Sequence, residues 1–271
     1  MTTMQKVIKY VAMAFALLLV VSIIGGILNA VGLLGGIFDG ESVAETLTTH
    51  TITSQIQSLD IRINAADLTL KEGDAFRVES NLKHLKVEEK NGVLTLHETR
   101  KVSIGTAKNG VLTVYVPAGT VFERVNLSTG AGRVSMGSLS AHILNFELGA
   151  GEVTIGTLTA TKSADIEGGA GRVTISGGAI RELELEMGVG QLNLSSALTG
   201  ECQLELGVGE SNITLLGAKE DYTLELEKGV GSITVDGTAA TGADIGNGPN
   251  EVEISGGVGA VNVNFSAINP A

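Results

Sequence analysis

The 271-residue chain has no tryptophan, and aromatic residues make up only 3 % of it. Stacking platforms for sugar rings or bases are therefore scarce. Its single cysteine, Cys202, excludes an internal disulfide. Absence of disulfides does not decide the compartment. Proline occurs only three times, so the 37 glycines do not belong to a disordered Pro/Gly tract. Basic residues nearly vanish after Arg181: from Glu182 onward there are 14 acidic residues against Lys219 and Lys228. Between Asp39 and Arg181 the balance is 16 acidic to 14 basic. The net charge of −12 thus sits mainly in the last third, which disfavours nucleic acid and anionic lipid headgroups as partners there.

Charge is also missing from one long run. Tyr10 to Phe38 contains no charged residue over 29 positions. As a helix this run would measure about 43 Å, against a hydrocarbon core of about 30 Å. The expected span is Val7 to roughly Leu28, with the Gly-rich remainder as an interfacial extension. Lys6 and Lys9 precede it and Asp39, Glu41 and Glu45 follow, which predicts a cytoplasmic N-terminus and an extracytoplasmic remainder. A cleaved signal peptide shares the basic start, but the apolar run is too long and no small-x-small site follows at the usual distance.

What the chain has in abundance is a repeat. Gly-x-Gly begins at Gly130, Gly149, Gly169, Gly188, Gly207, Gly229 and Gly257. The steps are 19, 20, 19, 19, 22 and 28 residues, the last containing the insert TGADIGNGPN. A period near 20 marks a stacked array. Apolar residues alternate with polar ones on both sides of each glycine pair, as in LNFELGAGEVTIG, where Leu144, Phe146, Val153 and Ile155 point one way and Asn145, Glu147 and Thr154 the other. Each repeat reads as two short strands joined by a glycine bend. One repeat cannot stand alone, so neighbours must stack. The expected architecture is all-β: a β-solenoid, or parallel β-helix, of ~20-residue repeats. Propellers have a longer period and sandwiches lack this register. The predicted organisation is a cytoplasmic stub and anchor over 1–38, a linker over 39–50, divergent first coils or an N-terminal cap over 51–120, and regular repeats over 121–266. KNGVLTL at Lys90 recurs as KNGVLTV at Lys108, each with Asn-Gly as a turn signal.

The chemistry-bearing motifs are sparse. A nucleotide loop needs a helix after its glycines, whereas a strand follows each pair here. GGAGRVTIS (168–176) resembles the calcium nonapeptide motif, but Val173 stands at the ligand position and the period is not nine. His50, His84, His97 and His142 are dispersed without metal spacing. Cys202 lies in an apolar column and reads as core. No catalytic, cofactor or metal residue is predicted, and the chain is read as a non-enzyme. The candidate binding face consists of Asp165, Glu167, Glu184, Glu186, Glu205, Glu225, Glu227 and Glu253, which fall in outward columns as stacked acidic ladders suited to a cation or a cationic peptide. The plain alternative is a set of solvated strand exteriors.

The succession VYVPAGTVFERVNLSTGAGRVSMGSL, LGAGEVTIGTL, GGAGRVTIS, MGVGQLNL, LGVGESNITLLG, KGVGSITVDG and GGVGAVNVNF resembles the bacterial putative-adhesin family of β-strand-repeat proteins, long catalogued as a domain of unknown function and including LiaG-like proteins of the cell envelope. The likeness covers about residues 50–266. It implies a β-solenoid outside the cytoplasmic membrane, with adhesion or envelope-stress response as its role. It brings no catalytic motif. The expected partners are an envelope or membrane protein or a cell-surface ligand, with the cytoplasmic membrane held by the N-terminal helix. A structural or regulatory partner of membrane proteins, and a polysaccharide-active β-helix enzyme, are the alternatives.

Overall fold

A computed structural model describes residues 43–99, 110–240 and 245–267. The anchor expected at Val7–Leu28 lies outside the described residues. Among the described residues no helix is long and apolar enough to cross a membrane. Strand is almost continuous: β1 (Val43–Thr51), β2 (Ser58–Ala65), β3 (Asp67–Gly73), β4 (Arg77–Leu82), β5 (Leu85–Lys90), β6 (Val93–Glu98), β7 (Val111–Pro117), β8 (Val121–Ile175), β9 (Gly178–Arg181), β10 (Leu183–Thr199), β11 (Glu201–Leu216), β12 (Tyr222–Glu227), β13 (Val230–Val235), β14 (Thr238–Ala239), β15 (Ile245–Gly246) and β16 (Asn250–Ser266). A 3-10 turn at Lys219–Asp221 interrupts them. The fold is all-β and solenoid-like, with successive turns of chain stacked in parallel register.

The period-two alternation explains the core. Leu183, Leu185, Leu192 and Leu194 face inward on β10 and are buried, while Glu184 and Glu186 between them are exposed. In parallel register each inward residue sits on its counterpart one turn away: Leu185 on Ile166 and on Leu204, Leu192 on Val173. Each turn of chain, or rung, therefore extends one apolar column, and the columns form the core. Polar columns stack as well. Thr234 donates to Asn262, Asn262 to Asn212, Asn212 to Asn193 and Asn193 to Thr174, at 3.0, 3.0, 3.2 and 3.5 Å. Such a ladder satisfies half-buried amides that apolar columns could not.

A rung has a third short strand besides the two expected from the sequence. β9 pairs in parallel with Leu158–Ala160 of β8 and with Ala197–Thr199 of β10, and Leu158, Ile180 and Leu198 close the core on that side. Its inward residues are few, so its alternation was too short to separate from a loop.

At both ends of the stack the rungs depart from sequence order. β16 lies between β11 and the rung formed by β12 and β13, although it follows both. Likewise β2 lies between β6 and β8, and β3 between β7 and β8. The end rung is thus penultimate in sequence, and the rung nearest the terminus is held between two others. This keeps β2, β3 and β16 paired on both sides. It also accounts for the two irregular steps. The 22-residue step carries the chain past one rung height, and the 28-residue step brings it back.

Antiparallel strands cover the open ends, in keeping with the need to shield edges. β4 pairs with β7, β1 with β4 and β5 with β6 at one end; β14 pairs with β13 and β15 with β12 at the other. The 51–120 region therefore contributes both coils (β2, β3, β6, β7) and cap. Residues 43–50, part of the expected linker, instead pair with the stack as β1, because their alternating Thr-rich sequence completes the edge of β4. The Asn91-Gly92 signal forms the two-residue hairpin between β5 and β6, with φ of 52° and 76°.

Candidate functional site

The glycine bends set the surface. A Cβ on Gly190 would overlap the carbonyl oxygen of Gly171, and one on Gly209 that of Gly190. Adjacent rungs thus approach so closely at the bend that no side chain fits. The first glycines of the bends, Gly149, Gly169, Gly188, Gly207 and Gly257, are crowded in the same way and form the floor of a groove running across the rungs, about 630 Å³ in volume. Glu147, Glu167, Glu186 and Glu205 line it from consecutive rungs, with Ser128 and Ser255 towards its ends. Among the described residues no lysine, arginine or histidine lines it.

The eight acidic residues singled out from the sequence are all exposed and fall in two neighbouring rows. Glu186 registers with Glu167 and with Glu205, and Ser255 then separates Glu205 from Glu227. In the other row Glu184 registers with Asp165, Gln203 follows, and Glu253 registers with Glu225. Only the first row borders the groove. Glu147 belongs to that row and was absent from the predicted set; its place two residues before Gly149, as Glu167 and Glu186 stand before Gly169 and Gly188, was the signal for it. Parallel strands place neighbouring carboxylates on a repeat of about 4.8 Å. Two like charges about 4 Å apart in water repel by about 1 kcal/mol. The row is therefore a line of uncompensated negative charge suited to an extended, multiply charged cation.

Beyond the glycines the surface changes character. The middle residues of the bends, among them Val189, Val208, Val258 and Val230, stack in register as a low apolar ridge. Val258 and Val230 are 40 % and 49 % exposed. The next row carries its own compensation: Glu152 lies 3.6 Å from both Arg133 and Arg172.

The remaining candidates are structural. Cys202 is buried in the apolar column, its Sγ accepting from the Leu183 N–H at 3.5 Å and donating to the Thr199 carbonyl at 3.7 Å. Burial pushes its thiol pKa up. A thiol held protonated is a poor nucleophile, so Cys202 is expected to resist maleimide in the native state and to react on unfolding, as read by intact mass. Because the thiol ionises more readily once unfolded, its contribution to stability is full below about pH 8.5 and falls as pH rises beyond it. His142 meets Thr161 at 2.6 Å on the surface. Among the described residues no group of His, Cys, Asp and Glu is arranged to hold a metal ion.

Comparison with known proteins gives three results. No curated protein matches the chain. Solved structures that resemble it include a putative adhesin from Bacteroides fragilis (13 % identity, 83 % of this chain and 100 % of that one, TM-score 0.44). Others are a putative adhesin from Parabacteroides distasonis (14 %, 82 % and 97 %, TM-score 0.40) and a putative cell adhesion protein from Clostridium sporogenes (14 %, 82 % and 99 %, TM-score 0.35). The family model Toastrack DUF4097 matches residues 55–248. With most of the rung stack inside that match, the chain belongs to the Toastrack DUF4097 family.

Proposed function

We propose that this protein is a non-catalytic binding module of the bacterial cell envelope, anchored by residues 7–28 with its rung stack outside the cytoplasmic membrane, and that it takes cationic, extended ligands along the acidic groove. The observation that carries the binding reading is the register of Glu167, Glu186 and Glu205, with Glu147 beside them, along one open groove that no cation of the described residues lines. The anchor reading rests on the uncharged run and on the charges flanking it.

Binding of an oligolysine peptide to the full chain, followed by calorimetry at several salt concentrations, tests the groove. Exposed ion pairs contribute about 0.2–1 kcal/mol each. Changing all four glutamates to glutamine is therefore expected to weaken binding by roughly 1–4 kcal/mol, about 5- to 800-fold, and to flatten its salt dependence. Unchanged affinity in that variant would remove the groove from the reading. A C-terminal reporter is expected to behave as extracytoplasmic and to stay with membranes through a carbonate wash; release into the soluble fraction would overturn the anchor.

A further inference from the structure

β16 occupies a slot whose two walls fit each other. Through β16, Leu224 stands in the column of Cys202, Leu226 in that of Leu204 and Val235 in that of Ile213. Gly231, Gly259 and Gly209 form one glycine line, and Thr234, Asn262 and Asn212 one polar line. Remove β16, and the rung of β12 and β13 carries every feature needed to stack directly on β11 in the same register. Its glycine would accept the close approach of the Gly209 carbonyl, and the Thr234 hydroxyl would find the Asn212 amide oxygen in place of that of Asn262. β14 and β15 ride on the outer side of β13 and β12, so neither obstructs the closure. The segment 217–221, which now climbs two rung heights, would need to climb only one.

We propose that the C-terminal strand is releasable: the stack has two in-register packings, one with β16 inserted and one in which β12 and β13 close onto β11 and β16 is free. An ordinary interior strand that leaves a sheet forfeits both of its interfaces. Here one of the two is regained by closure, which lowers the cost of release. Two latches oppose it. The Asn250 side chain donates to the Asp221 carbonyl (2.9 Å) and accepts from the Gly200 N–H (3.2 Å) at the start of β16. At its end the Phe265 ring packs on Tyr222 at 5.8 Å and beneath the Lys219 ammonium at 5.4 Å. Like charge does not hold β16 in place: closure brings Glu227 over Glu205, but release parts Glu253 from Glu225 and Glu251 from Glu201.

Hydrogen exchange on the unaltered full chain tests the first half. A fixed stack protects β16, flanked on both sides, more than the end rung β12–β13. Release with closure reverses that order, so β16 amides are expected to exchange faster than those of β12 and β13, and faster still in Phe265→Ala. Greater protection of β16 than of β12 and β13 would overturn the proposal. Cys202 supplies the second test. In the observed packing Val252 is its direct neighbour, and Leu224 is two rungs away, about 9.6 Å, beyond the usual disulfide reach of about 4.4–6.8 Å between Cα atoms. Val252→Cys stands in direct register with Cys202 and sets the reference: under prolonged oxidation it is expected to bond at the rate at which the buried column opens to the oxidant. Leu224→Cys is expected to bond to Cys202 more slowly under native conditions, with β16 becoming protease-sensitive. Bonding in the first and none in the second would show that the slot does not close.

Discussion

Replacing Gly190 by alanine is expected to lower stability by about 3–5 kcal/mol, enough to shift the melting temperature by roughly 10 °C or more. Two costs combine. Gly190 has φ of 143°, a conformation L-residues rarely adopt. Its new Cβ would also collide with the carbonyl oxygen, carbonyl carbon and amide nitrogen of Gly171 in the rung beside it. A flexible side chain could yield, but a backbone locked into a ladder can move only by parting two rungs. Gly190 itself lies beneath Gly209 in the same way, so the disturbance reaches the rungs on both sides. Gly137→Ala is the control. Nothing lies within 4 Å of a Cβ there, and removing glycine entropy from the unfolded chain makes that change neutral or stabilising by about 0.4–1 kcal/mol. Thermal and urea unfolding of the two variants side by side separates crowding from the mere loss of a glycine. Equal stabilities would mean that the bends are not the close contacts described.

The second large effect is expected at the opposite kind of corner. Ala65 registers with Ala131, so Asn64 and Ala66 occupy the places of Gly130 and Gly132. The rung outside them is that of β6 and β7, and at this corner the last residue of β6 turns towards them: one of the Glu98 carboxylate oxygens accepts from the Asn64 N–H at 2.8 Å and the Ala65 N–H at 3.3 Å. The residue is buried, at 5 % exposure. Glu98→Ala removes the acceptor of both hydrogen bonds and is expected to cost roughly 2–4 kcal/mol, at about 1–3 for each hydrogen bond lost at a buried corner. Glu98→Gln keeps a carbonyl oxygen in reach and should cost about 1 kcal/mol, the difference between a charged and a neutral acceptor. Urea unfolding measures both, and an alanine variant no worse than glutamine would show that water reaches the corner.

These two sites mark where sequence reasoning succeeds and where it stops. The glycine columns were legible because every rung repeats the same need, so the pattern recurs at a fixed spacing. Glu98 was not legible: its role arises once, at the corner between β2 and β3, and nothing periodic announces it. The acidic rows stood out for the same reason as the glycines, down to their two interruptions at Gln203 and Ser255. Which row borders the groove depended on how near each lies to the bare glycine line, a property of the folded surface.

By itself the sequence determined the rung: its length near 20 residues, its inward and outward columns, its glycine bends and the outward rows of carboxylates. Those are consequences of period-two alternation and of contacts that every rung makes alike. The tertiary structure alone decided which rung lies on which. Because all rungs carry the same register, β12 and β13 match β11 as well as they match β16, and the pattern cannot rank these pairings. Connector lengths, the latches at Asn250 and Phe265 and the shielding of the two open ends select the order, and those are properties of the assembled stack.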